Sequence, residues 1–174
     1  MIELKPISRE AISSALEKAE RYRLLNEPRE AESICRDVLL ADAGNQHGLI
    51  TLLLALTDQF AQKPRVHLND ARGVLEQVKG DYEQAYYEGV ILERWGKAQL
   101  AADTPRYVAN DWLRKAMDCY ANAENVRPTG NDDAILRWNA CARIIDHAVH
   151  ADGPQADPAP TQVADGFDDE VPLL

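Results

Sequence analysis

Long apolar runs are missing from this chain of 174 residues. The longest, Leu49 to Leu56, is broken by Thr51 and soon ended by Asp58. That is well short of the ~18 apolar residues a membrane helix needs. The opening residues, Met1 to Glu10, lack the apolar core of a secretory signal, so the expected location is cytoplasmic. Cysteine is scarce and odd in number: Cys35, Cys119 and Cys141, with no Cys-x-x-Cys pair. This argues against a disulfide framework or a zinc site. Each cysteine falls at an apolar position of a helical pattern, as a small buried hydrophobe does. Strand signals are also thin. There is no alternating Val/Ile/Thr run, and no Asn-Gly or Asp-Gly hairpin turn joins two such runs.

Basic residues are absent from one end. Formal net charge is -10, and six acids with no Lys or Arg lie beyond residue 150, which leaves about -4 for the rest. This balance argues against sequence-independent nucleic-acid binding and against an anionic membrane surface, since both need a basic face. Recognisable catalytic motifs are missing as well: no glycine-rich phosphate loop, no Gly-x-Ser-x-Gly, no His-Glu-x-x-His. His147 and His150, with Asp146 and Asp152, have a spacing that could share a metal. A solvated helix C-terminus, where His suits the dipole, is the simpler reading. No catalytic residue, metal or cofactor is expected.

What is present is helical. Apolar residues recur at spacings of three and four, with Ala, Leu, Glu and Arg dominating. The pattern predicts an all-α chain of three helix–turn–helix pairs. The first pair starts near Ser8, turns at Glu27-Pro28 and closes at 43–45. The second holds Leu49 to Leu56 and then about Asn69 to Lys79. The third begins at Tyr82, turns near 103–105 and stops at Pro128. A lone helix, about Asn131 to His147, follows as a cap. Residues 1–150 are read as one domain. Residues 151–174 are read as a flexible acidic tail, with four prolines and six acids.

The spacing of small and large residues resembles the tetratricopeptide repeat (TPR). In the third pair Gly89, Leu92 and Gly96, then Ala116, Tyr120, Ala123 and Pro128, fill its places. In the first pair Ala19, Tyr22, Ala31, Cys35, Val38 and Ala43 do so. The second pair is degenerate, with Leu53, Leu56, Ala71, Leu75 and Val78, and Trp138 holds the glycine place of the last helix. The rival architecture is a helical bundle without repeats. The third pair holds about 15 residues more than the standard spacing between Gly89 and Ala116. Shared between two helices, the excess adds about two turns, ~11 Å, to each. Gly89 and Ala116 are expected to face each other.

The resemblance implies a right-handed superhelix whose first helices line a concave, protein-binding groove. Carried over, that wall takes Ser13, Leu16, Glu17, Glu20, Arg23 and Leu24 from the first pair and His47, Ile50, Thr51, Leu54 and Asp58 from the second. The third pair adds Tyr86, Tyr87, Val90, Glu93 and Arg94, and the last helix Ile135, Leu136, Asn139 and Arg143. The places of the basic clamp found in chaperone-binding relatives hold Leu16, Glu20, Thr51, Glu83 and Tyr87, so that subclass is disfavoured. Trp95 and Trp112 are expected at similar height on the lengthened hairpin, as a partner contact. In the tail, Phe167, Val171, Leu173 and Leu174 beside an acidic cluster suggest a docking segment, for a partner or for the chain's own groove. The expected role is a non-catalytic adaptor or scaffold, a subunit of a larger assembly that binds a protein or peptide segment. The alternative is an assembly chaperone for a cytoplasmic enzyme.

Overall fold

The computed structural model describes residues 3–62, 67–102 and 104–151, with side chains as far as 147. Among them are seven α-helices and no strand. After a short 3-10 turn at Arg9–Ala11 come α1 (Ile12–Leu24), α2 (Pro28–Ala41), α3 (Gln46–Asp58) and α4 (Leu68–Leu75). These are followed by α5 (Asp81–Ala101), α6 (Arg106–Asn125) and α7 (Asp133–Ala151). The all-α expectation and the helix order hold. None of these helices is long and apolar enough to cross a membrane.

Local chemistry sets the boundaries. Asn26, at φ 61°, takes the left-handed turn that ends α1, a conformation Asn tolerates better than most side chains. Pro28 then opens α2, where its missing N–H costs nothing. The Asn45 side chain caps α3 by accepting from the Gly48 N–H at 2.9 Å. The chain enters α5 through Gly80, whose φ of 100° favours glycine.

Each helix packs on its sequence neighbour, and α1, α3 and α5 also touch in succession. α3 is therefore the most enclosed. Leu49, Leu52, Leu53, Ala55 and Leu56 are buried, as are Thr51 and Thr57. The α5–α6 hairpin is the largest interface. Its helices have 21 and 20 residues, against 13 and 14 for α1 and α2. The lengthened third pair is therefore present. α4 is shorter than expected, with 8 residues. The Gln84 side chain, reaching back from α5, donates to the carbonyls of Leu75 and Val78. These late carbonyls are satisfied without further helix.

Gly89 faces the ring of Tyr120, one turn beyond Ala116. A Cβ added there would lie 2.5 Å from Tyr120 Cε1. The absent side chain makes room for the ring of a fully buried tyrosine. Further along, Gly96 meets the Ala109 carbonyl and the Cβ of Trp112, each 3.2 Å from where its own Cβ would be.

Candidate functional site

The first helix of each pair and the terminal helix are joined by charged side chains. Asp58, at the end of α3, accepts from Arg23 Nε of α1 at 2.8 Å and from Arg94 of α5. The same Arg94 Nη1 also donates to the Leu54 carbonyl at 3.1 Å and to Thr57 Oγ1 at 2.7 Å. A guanidinium thus sits at the C-terminus of α3, where unpaired carbonyls and the helix dipole favour a cation. Burial lowers the Arg94 pKa, with Asp58 opposing. It stays protonated, as guanidinium does in proteins.

One residue earlier, Glu93 is buried, with its side chain 2% exposed. Oε1 accepts from Lys97, while Oε2 accepts from Tyr120 OH at 2.6 Å and from Arg137 Nη1 of α7 at 3.1 Å. Arg137 Nε donates to Tyr86 OH at 2.9 Å. Burial alone would raise the Glu93 carboxyl. Hydrogen bonds from Lys97 and Tyr120, with the charges of Lys97 and Arg137, outweigh it and hold the group below its usual value. Burial and the adjacent Glu93 charge push the Tyr120 hydroxyl strongly up. Tyr120 therefore donates a proton in its hydrogen bond to a carboxylate that stays charged at neutral pH.

Between these two networks lies an open cleft of about 360 Å³. Its lining combines Phe60, Ala61 and Ala98 with Asp58, Glu93, Arg94, Lys97 and Arg137. Its size is at the lower end of ligand-holding clefts, ~300–1,000 Å³.

The expected wall residues divide. Arg23 and Arg94 come together on this face through Asp58. Val90 does not belong to the wall: it is 0% exposed. Leu16 and Thr51 are likewise inside, because the apolar stripe of each helix is wider than the spacing carried over from the repeat, whereas Glu93 is buried yet lines the cleft. Ile50, Leu54, Tyr86 and Tyr87 are half-buried and pack against the core. Burial, with Tyr86 alongside, pushes the Tyr87 hydroxyl up to about 12. Asn139 is half-buried and Arg143 exposed on α7. The tryptophans lie level on the hairpin, since Gly96 meets the Trp112 Cβ, but make different contacts. Trp95 meets Phe60 edge-on, with ring centroids 5.2 Å apart, whereas Trp112 lies under the Lys115 ammonium at 4.7 Å. Trp95 therefore packs against the segment after α3 instead of standing free on a projecting tip. Phe167, Leu173 and Leu174 lie outside the described residues, as do the side chains of His150 and Asp152.

Lys97 and Arg137 were not anticipated. One signal was available: Lys97 stands four residues after Glu93, the spacing of a helical ion pair. Nothing local points to Arg137, whose role depends on side chains that reach from α7 to α5. No group of three or more His, Cys, Asp or Glu that could hold a metal occurs among the described residues. Burial raises the thiols of Cys35 and Cys141 to about 12 and that of Cys119 to about 11. None is a ready nucleophile at neutral pH.

No protein-family model matches the chain, and no curated protein or solved structure is significantly similar to it.

Proposed function

We propose that this chain is a non-catalytic protein-interaction module with TPR-like packing, and that it docks a segment of a partner protein on the face shared by α1, α3, α5 and α7. The observation that carries the reading is the cleft beside Arg94, Lys97 and Arg137, on the face where the first helices meet. It combines apolar lining with fixed donors, as peptide-docking grooves do. The resemblance in small-residue spacing and the succession of helix pairs support the repeat architecture. A right-handed superhelix and a cytoplasmic setting belong to the same proposal. An adaptor or accessory subunit stays with the finished assembly, whereas an assembly chaperone leaves it.

The test compares the full chain with an Ala61→Glu/Arg143→Glu variant in affinity purification from the native host. Both positions are exposed, so the melting temperature should be unchanged. A partner held by the unmodified chain and lost from the variant supports the reading. Equal retention by a folded variant overturns it.

A further inference from the structure

The cleft holds two acids that are fully engaged and cations that are not. Both oxygens of Asp58 and both of Glu93 accept hydrogen bonds or ion pairs from within the fold. Lys97 gives one bond to Glu93 and its side chain stays 45% exposed. Arg137 uses Nε on Tyr86 and Nη1 on Glu93 and stays 31% exposed. Its Nη2 forms no hydrogen bond among the described residues. With Arg23, the cluster sets Arg23, Arg94, Lys97 and Arg137 against Asp58 and Glu93 in a chain of net charge -10. This concave, locally positive place has donors to spare, in a body that otherwise repels anions. The chemistry it suits is a carboxylate group next to a modest apolar side chain.

We propose that the chain supplies this ligand itself. Segment 163–174 docks in the cleft, with Asp168, Asp169 and Glu170 opposite Lys97 and Arg137 and with Phe167 against Phe60, Ala61 and Ala98. The inference rests on the reading of this face as a docking surface and adds its regulation: the module covers its own cleft until a partner displaces the segment. Charge favours this occupant, because the chain beyond residue 150 has six acids and no Lys or Arg. Reach favours it too. Arg137 lies 14 residues before the end of α7, about 21 Å along the helix. The stretch from Ala151 to Asp168 is 17 residues, and at the ~3.1 Å per residue of a proline-rich linker it can span about 50 Å, more than the return to Arg137 requires. Tethering within one chain raises the effective concentration of a segment that can reach its site, on the order of millimolar for short linkers. Even weak contacts are then populated within one molecule.

Carbodiimide cross-linking of the full chain, at dilution, tests this directly. Lys97 Nζ should form amide links to Asp168, Asp169 or Glu170 within monomers several-fold more often than the exposed lysines Lys18 and Lys115 do. Ala61→Glu, which puts a competing carboxylate at the rim, should reduce the Lys97 links several-fold and leave the other two unchanged. Links from Lys97 at the level of Lys18 and Lys115 overturn the proposal. So do links found only in covalent dimers, which would assign the cleft to a second copy. Those failures leave the docking face standing if Ala61→Glu/Arg143→Glu still releases a partner, and the cleft then belongs to a segment of that partner.

Discussion

Glu93 is a carboxylate buried between helices, and its surroundings are built around that charge. Its folded pKa is held below the ordinary 4.5. Its contribution to stability is therefore complete above the ordinary value and is lost as pH falls through the depressed one. Glu93→Gln should cost about 1.5–3 kcal/mol near neutral pH, the usual worth of hydrogen bonds to a charged group. In urea titrations at several pH values, the gap from the unmodified chain should shrink as pH falls through the acid range. A gap that stays constant to strongly acid pH would mean the carboxyl is neutral in the fold. Gly89 serves the same group from beneath, since only a bare Cα leaves space for the ring that carries the Tyr120 hydroxyl to Glu93. Alanine is the better helix former by ~1 kcal/mol, yet Gly89→Ala should lower the melting temperature, with a net cost of about 1–3 kcal/mol from overpacking. A raised melting temperature would show that Tyr120 can move aside freely.

Between helices, the dominant joint is Arg94 at the C-terminus of α3, with Asp58 binding it to Arg23 of α1. Arg94→Met keeps most of the apolar stem and removes every donor. It should cost about 1–3 kcal/mol, because Asp58 Oδ1 and Thr57 Oγ1 lose the guanidinium donor while Arg23 still holds Asp58 Oδ2; a denaturation midpoint within error of the unmodified chain would contradict this. The helix pairs themselves were legible in the sequence. Small residues at Ala19, Ala31, Ala71, Gly89 and Ala116 mark where helices approach, and turn residues mark where they stop. Helix phase was legible only to about one position, which put Val90 on the wall when its side chain is inside. The early stop of α4 was not legible, because Gln84 ends it from another helix. The cleft was half legible. Arg94 and Arg23 came from the repeat spacing, whereas Arg137 reaches Glu93 from another helix, 44 residues further along the chain. Spacing along one helix contains no information about such a long-range contact.

Over the whole molecule, charge and shape are unevenly distributed. The acids beyond residue 150 account for most of the net -10, while Arg23, Arg94, Lys97 and Arg137 converge on one face. Salt should therefore weaken partner docking, since the half-exposed cations of the cleft are screened over about 8 Å at physiological ionic strength. Affinity that is unchanged when salt is raised would leave the apolar lining alone as the contact. The most direct measurement is hydrogen exchange on the full chain, free and with its co-purified partner bound. Docking on the shared face predicts added protection around the end of α3 (54–61), mid α5 (90–98) and α7 (135–143). Protection confined to α2, α4 and α6, with these three segments unchanged, would contradict the account.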